Sequence, residues 1–149
     1  MEPIKLHGEG LKEVTSTGEL EHQIRMSETP AALVEKSYEV PGIVTYMNNL
    51  LYERGLTVQD VIVGCDLSRS YAYQLLNGNR FPTRGFLLKF AFMLKLPEAE
   101  AQRLLKIAGR QPLYARNRRD AAILYGLSHG MTAEETERLL RSLGEEGLS

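Results

Sequence analysis

The sequence predicts an all-α fold, in one globular domain with an N-terminal arm. Apolar residues recur at i, i+3, i+4 and i+7 in several segments, as on the buried face of a helix. Capping residues precede these segments and glycines follow them, which marks where the helices begin and end. No segment alternates apolar and polar residues over the length of a strand. With 149 residues, 43% of them hydrophobic and 25% charged, the chain has the composition of an ordinary soluble protein.

Seven helices are predicted after the breaker at Pro41 and Gly42. The first ends at Gly55, and Pro97 takes a first-turn position in the fifth. The expected N-terminal capping residues are Thr57, Ser68, Thr83, Asn117 and Thr132. The predicted helices cover about 43–54, 58–64, 69–76, 84–94, 97–108, 118–128 and 133–143. Two further short helices are predicted at about 18–26 and 29–37.

Three regions follow from this pattern. Residues 1–40 form an acidic, partly irregular N-terminal arm, residues 41–96 form a core, and residues 97–149 form a C-terminal helical extension. Residues 43–143 are expected to be a compact all-α domain. Much of its hydrophobic core is expected to come from Phe86, Phe90, Leu94, Leu104, Leu105, Ile123, Leu127, Leu139 and Leu140.

Two segments near the C-terminus are similar to each other. Leu96–Leu113 and Met131–Leu148 align without gaps at an offset of 35 residues and match at six of eighteen positions. One interpretation is a pair of tetratricopeptide-like repeats, although a solenoid needs about three copies. The other, which we prefer on sequence alone, is that any two capped helices with a Leu-Leu core and a glycine stop look alike.

The net charge of −1 hides segments of opposite sign. Residues 54–119 carry twelve Lys and Arg against four acidic residues, a net charge of +8. Residues 1–53 carry −5 and residues 120–149 carry −4. A strongly basic segment favours a polyanionic partner over simple solvation of helix faces. The acidic arm either competes with that partner for the basic segment or only maintains solubility.

Composition also disfavours several classes of protein. The most apolar stretch, residues 86–96, contains two lysines and is too short to span a bilayer, and the N-terminus lacks a secretory signal. We therefore expect a cytoplasmic protein without a membrane segment. One cysteine and three scattered histidines predict neither a disulfide nor a zinc site. Without a nucleotide-binding glycine motif or spaced metal ligands, we expect no enzyme and no cofactor.

The most informative block is residues 55–83, where a tight turn joins two short capped helices. This is the sequence form of a helix-turn-helix. The inward positions that would tie the pair together are Val61, Cys65, Leu67, Ala72 and Leu75. The start of the second helix then points outward with Arg69, Ser70, Tyr71 and Gln74. Side chains there can reach base edges in a major groove about 12 Å wide, where Arg favours guanine and Gln favours adenine.

This block resembles the lambda-repressor-like, or Xre-type, helix-turn-helix family of DNA-binding proteins. The resemblance covers about residues 43–96, roughly a third of the chain. Gly55-Leu56-Thr57 is similar to the start of the family's motif, and Ser68-Arg69-Ser70 is similar to the start of its recognition helix. Asn77-Gly78-Asn79-Arg80, followed by Pro82, is similar to the turn after that helix. The family's fourth helix and its exit are similar to Leu87-Leu88-Lys89-Phe90-Ala91 and Leu94-Lys95-Leu96.

Three features depart from the family pattern. Ile62 replaces a usual small Ala, and Ala72, where a larger residue is usual, offers compensating space. Asp66 replaces the turn glycine, and Asp tolerates left-handed backbone better than most residues. Val58 replaces a frequent Gln that contacts phosphate in the family, so the resemblance implies that this contact is lost.

The resemblance implies a transcriptional regulator of bacterial or phage type that binds double-stranded DNA, usually as a homodimer. The expected base-reading residues are Arg69, Ser70 and Gln74. The expected backbone contacts are Thr57, Tyr71, Asn77, Arg80, Thr83 and Arg84, with Lys89 as a further basic candidate. The cluster of Arg116, Arg118 and Arg119 either extends the DNA surface or pairs with the acidic tail.

The alternative is a protein-interaction module, such as an antitoxin or a partner of another regulator, that uses the helix-turn-helix as a scaffold. It would bind its partner through the N-terminal arm or the C-terminal helices. The lost phosphate contact at Val58 favours this interpretation. Binding to random duplex DNA at increasing salt separates the two, because phosphate contacts demand a steep dependence on salt.

Overall fold

Seven helices make up the part of the chain that the computed structural model describes, residues 42–149. In chain order they are α1 (Ile43–Glu53), α2 (Val58–Gly64), α3 (Arg69–Asn77), α4 (Arg84–Met93), α5 (Glu98–Ile107), α6 (Arg118–Ser128) and α7 (Ala133–Ser142). No strand occurs in this range, which confirms the all-α prediction for it. None of these helices is long and apolar enough to cross a lipid bilayer. The arm and its two predicted helices lie outside the described residues.

The described residues belong to two compact units, which divide after Thr57. The first unit includes α1, whose Met47 and Leu51 side chains are fully buried. Gly55 follows α1 with a φ of 65°, a left-handed conformation that glycine adopts without strain. The second unit, Val58–Ser149, contains α2 to α7 and the predicted base-reading residues.

Side-chain caps start four helices of the second unit at the predicted residues. The capping side chains belong to Ser68, Thr83, Asn117 and Thr132. Each accepts a hydrogen bond from an amide that the helix itself leaves without a partner. At α7 the cap is reciprocal, because Glu135 Oε1 accepts from the Thr132 amide at 3.1 Å. That bond to the Thr132 backbone, together with the Thr132 hydroxyl, lowers the pKa of Glu135.

Helix α4 lies at the centre of the second unit and packs against α2, α5 and α7. It is apolar nearly all round, with Leu87, Leu88 and Phe90 almost completely buried. Eight of the nine predicted core residues are buried, and Leu139 is half-buried instead. The prediction omitted Leu113 and Leu148, which follow the last turns of α5 and α7 and are also buried.

Hairpins α4–α5 and α6–α7, which contain the two similar sequence segments, share several contacts at positions 35 residues apart. The turn of each copy contains a left-handed residue, Lys95 with φ 54° in the first and Gly130 with φ 65° in the second. The residue after it donates its amide back into the first helix of the hairpin. These bonds join Leu96 to Ala91 at 3.0 Å and Met131 to Gly126 at 2.9 Å.

The likeness extends to the segment after each hairpin. Gln102 donates to the Leu113 carbonyl at 2.8 Å and accepts from the Leu113 amide at 2.7 Å. At the equivalent place in the second copy, Glu137 Oε1 accepts from the Leu148 amide at 2.8 Å. In both copies a polar side chain of the second helix therefore holds a buried leucine eleven residues later. The bond to the buried leucine supports the repeat interpretation. The turn geometry does not separate the two interpretations, because Leu67 closes the end of α2 on Ile62 in the same way.

Lys95→Gly is expected to stabilise the protein by about 0.5 kcal/mol. Lys95 has a left-handed backbone conformation, which costs a residue with a side chain about 1 kcal/mol. Glycine avoids this cost, and the gain is larger than the stability lost because glycine gives the unfolded chain more conformational entropy. Urea denaturation measures the change in the free energy of unfolding. Lys95→Ala is the matched control, because it removes the charge and keeps Cβ. An equal gain in both variants would assign the effect to the lysine charge and not to the backbone.

Candidate nucleic-acid interface

Helices α2 and α3 pack against each other and are joined by a four-residue turn, residues 65–68. The turn closes with a hydrogen bond from the Leu67 amide to the Ile62 carbonyl at 3.0 Å. Asp66 takes the left-handed conformation expected of it, with φ 54°. Val61, Cys65, Ala72 and Leu75 are buried as predicted, whereas Leu67 is half-buried.

Apart from Asp66 in the turn, the positions that depart from the pattern of the resembled family contribute to packing. Val58 is fully buried at the start of α2, so its side chain belongs to the core and offers nothing to a phosphate. Ala72 is also fully buried, and Ile62 is half-buried.

Helix α3 presents a polar face. Ser70, Gln74 and Asn77 follow one another at i, i+4 and i+7, on the side opposite the buried Ala72 and Leu75. Ser70 and Asn77 are exposed and Gln74 is half-buried. Arg69 precedes this face in the first turn and is exposed, and Tyr71 and Tyr73 are half-buried. The structure therefore brings all three predicted base-reading residues to the accessible part of one helix.

A network of contacts links this face to the turn after α3. Arg80 Nε donates to Gln74 Oε1 at 3.1 Å, and Gln74 Nε2 donates to Ser70 Oγ at 3.4 Å. The Arg80 guanidinium lies over the Tyr71 ring, 5.4 Å from its centroid. The Arg80 backbone amide donates to the Gln74 carbonyl at 3.1 Å, which brings the turn back onto the helix. This is possible because Gly78 ends α3 with a φ of 84°.

Arg84 was predicted to contact the DNA backbone, but in the structure it forms an ion pair with Asp120. Its guanidinium donates to both carboxylate oxygens of Asp120, at 3.1 and 3.0 Å. It also donates to the carbonyls of Gln111 at 2.8 Å and Pro112 at 3.0 Å. A phosphate would have to displace a bidentate carboxylate pair, which is among the stronger polar contacts in proteins. We therefore remove Arg84 from the candidate contacts to the DNA backbone.

Much of the basic segment serves the fold. The arginines that donate to backbone carbonyls include Arg54, Arg84, Arg110, Arg118 and Arg119. Arg118 donates to the Leu143 carbonyl at 2.9 Å and lies 3.7 Å from the Glu145 carboxylate. Arg119 donates to the carbonyls of Glu146 and Gly147. For these two residues the structure favours the second expectation, contact with the C-terminal tail, while Arg116 is exposed.

Phe81 was not among the predicted site residues and lies in the turn between α3 and α4. Its side chain is 57% exposed, and the Arg110 guanidinium lies over its ring at 4.8 Å. Arg110 Nε also donates to the Pro82 carbonyl at 3.0 Å. The sequence could have marked Phe81 as a site residue, because it is a large apolar side chain in a turn that is otherwise mostly polar. An exposed aromatic ring in such a turn suits stacking or apolar contact with a ligand.

Cys65 is not suited to nucleophilic chemistry. Burial raises the pKa of its thiol to about 12, although the nearby Lys89 lowers it. A thiol with that pKa stays protonated at neutral pH, and the thiolate is the reactive form. Across residues 42–149, no three His, Cys, Asp or Glu side chains are grouped so that they could bind a metal ion.

The candidate recognition surface consists of Arg69, Ser70, Tyr71, Gln74, Asn77, Arg80 and Thr83. Thr83 is exposed, and its hydroxyl accepts from the Phe86 amide at 3.1 Å. Thr57 is half-buried and belongs to the first unit. Comparison of the chain with protein-family models, curated proteins and solved structures found no match.

Proposed function

We propose that the protein is a cytoplasmic regulator of transcription that binds double-stranded DNA in a sequence-specific manner, as an Xre-type helix-turn-helix protein. In this proposal α3 enters the major groove. The observation that supports it is the polar face of Ser70, Gln74 and Asn77 on a short helix held by α2 and a tight turn. Such a face can exchange hydrogen bonds with base edges while the opposite face stays in the core.

The side chains take different roles on the recognition surface. Arg69 and Ser70, in the first turn of α3, and Gln74, one turn later, read base edges. Tyr71, Asn77, Arg80 and Thr83 contact the DNA backbone, and Thr57 is kept as a proposed contact of the same kind. The Thr83 hydroxyl suits this role, because it accepts from the Phe86 amide and keeps its own O–H to donate to a phosphate.

A homodimer is the proposed binding form. Two recognition helices about 34 to 36 Å apart match one turn of B-form DNA, so a symmetric dimer binds a palindromic site. Helices α5 to α7 are the candidates for the dimer interface. If the homodimer is the binding form, the sequences that the protein selects are expected to be palindromic, with half-sites about 10 base pairs apart.

The rival function is a protein-interaction module that uses α2 and α3 as a scaffold. The observation that favours it is the use of Arg84, Arg110, Arg118 and Arg119 inside the second unit. A guanidinium bonded to the protein's own carbonyls contributes less to phosphate binding than the sequence charge suggests.

Salt dependence separates the two functions. The full chain is titrated with a random duplex at increasing salt, and the logarithm of affinity is plotted against the logarithm of salt concentration. A DNA-binding surface gives a slope of about −0.9 for each phosphate neutralised. A flat plot, or no binding at low salt, would support the interaction module.

Base reading is tested with sequences selected by the full chain from a random duplex library. Arg69→Ala and Gln74→Ala are each expected to weaken binding to the selected site by about 1 to 3 kcal/mol and to relax preference at one base pair. Lys95→Ala is the control, because Lys95 is an exposed cation in the turn after α4, outside the recognition surface and outside α5 to α7. The assignment is wrong if both Arg69→Ala and Gln74→Ala prefer the same bases as the wild type.

A further inference from the structure

The contacts of Gln74 determine the direction of its side-chain amide. Arginine carries only N–H donors, so the amide atom that faces Arg80 must be the oxygen. Nε2 then faces Ser70, whose hydroxyl oxygen accepts from it. A glutamine without such neighbours can turn its amide either way, whereas this one is held by a donor on one side and an acceptor on the other.

Arg80 is itself held in position. Its guanidinium lies over the Tyr71 ring, where the face of the aromatic ring attracts a cation. Its backbone amide is bonded to the Gln74 carbonyl, so the two residues are joined through the main chain as well as through their side chains. The contact between Arg80 and the Gln74 amide is therefore arranged before any ligand is present.

A fixed amide restricts the base that Gln74 can read. A glutamine that reads adenine needs Oε1 to accept from N6 while Nε2 donates to N7. Here one lone pair of Oε1 accepts from Arg80, so the guanidinium lies beside the other lone pair, and Nε2 keeps for a base the N–H that Ser70 does not accept. Guanine presents two acceptors, N7 and O6, on its major-groove edge. Nε2 can donate to N7 of either purine, but the group beside N7 is the N6 amine, a donor, in adenine and the O6 acceptor in guanine. The Arg80 guanidinium beside Oε1 opposes the adenine amine and suits O6, so the arrangement favours guanine.

We propose that Arg80 is a specificity-determining positioning residue, which holds Gln74 Oε1 and so makes Gln74 select guanine over adenine. This inference rests on the proposed function, because it requires α3 to lie in the major groove. Arg80 acts through Gln74, and this role is separate from any contact that it makes with a phosphate. A phosphate contact changes affinity for all sequences alike, whereas positioning of Gln74 changes the identity of one preferred base.

The test compares duplexes selected by the full-length wild type and by three variants. Gln74→Ala identifies the base pair that Gln74 reads, and the wild type is expected to select guanine there. Arg80→Lys is expected to retain guanine, because lysine also only donates. Arg80→Met removes the donor and is expected to raise the ratio of adenine to guanine at that position by about tenfold. Lys95→Met, which loses a positive charge in the exposed turn after α4, is the control and is expected to retain guanine.

The inference is overturned if Arg80→Met retains guanine, or if Gln74→Ala changes no position. A wild type that selects no duplex at all overturns the proposed function, and the role of Arg80 in base selection with it. The contact itself has a separate readout in the protein without DNA, the magnetic resonance signals of the Gln74 side-chain amide. These signals are expected to shift in Arg80→Met and not in Lys95→Met, and identical signals in both variants would exclude the contact.

Discussion

Arg84→Ala is expected to destabilise the protein by about 3 to 5 kcal/mol. The Asp120 side chain is only 8% exposed, and removing the guanidinium leaves its charge buried without a counter-ion. The amide of Tyr114 still donates to Asp120 Oδ2 at 3.0 Å, which is too little to replace two charged bonds. The carbonyls of Gln111 and Pro112 lose a donor as well.

Urea denaturation of the full chain measures this loss. Arg116→Ala is the matched control, because Arg116 is an exposed arginine of the same basic segment, and its removal is expected to change stability by less than about 0.5 kcal/mol. The double variant Arg84→Ala, Asp120→Ala tests whether the two residues act as a pair. Its loss is expected to fall short of the sum of the single losses by about 1 kcal/mol or more. Additive losses, or equal effects of Arg84→Ala and Arg116→Ala, would contradict the importance of the pair.

Leu148→Ala is expected to cost about 3 kcal/mol of stability. Leu148 lies in the tail after α7, yet it is only 1% exposed, and its amide is bonded to Glu137. Truncating a buried leucine removes the transfer free energy of its side chain and leaves a cavity.

Gly85, at the start of α4, is so close to the tail that an added Cβ would contact the Leu148 carbonyl. Gly85→Ala is therefore expected to displace the tail and to destabilise the protein by about 1 to 3 kcal/mol.

Urea denaturation also measures the free energy of unfolding of Leu148→Ala and Gly85→Ala. Val63→Ala is the control for Leu148→Ala, because Val63 is an apolar residue that is 72% exposed. Its truncation is expected to change stability by less than about 0.5 kcal/mol. If Leu148→Ala is no more costly than Val63→Ala, the tail is not part of the core in solution.

The helix boundaries could be predicted because they depend on neighbouring residues. Ser68, Thr83, Asn117 and Thr132 each cap a helix through an amide three residues later, a relation that sequence shows directly. The left-handed conformation of Asp66 was expected from the resemblance instead, which places a glycine at this position of the turn.

Contacts between distant residues could not be predicted in this way. Arg84 and Asp120 are 36 residues apart, and no local pattern distinguishes an arginine that will find a buried carboxylate from one that will meet solvent. Leu148 was overlooked for the same reason, because a leucine outside any helix shows no periodicity that marks it as core. Only the 35-residue likeness to the segment ending at Leu113 carried that information, and two copies are too few to stand out in sequence.

The sequence predicted which residues form the candidate recognition surface, with Arg84 as the exception, but it did not predict the contacts among them. Arg69, Ser70 and Gln74 follow from their places at the start of a helix whose other face is apolar. The bond between Arg80 and Gln74 depends on how the chain turns after α3, which the sequence shows only as a turn signal.

The arginines that hold the tail affect how binding measurements can be interpreted. Arg118 and Arg119 donate to backbone carbonyls, which carry no net charge. Such bonds need no counter-ion, so dissolved ions compete with them less than with an exposed pair of opposite charges. The tail is therefore expected to stay attached across the salt concentrations that weaken contacts with phosphates. A fall in DNA affinity with salt then measures the interface itself, without a contribution from loosening of the protein.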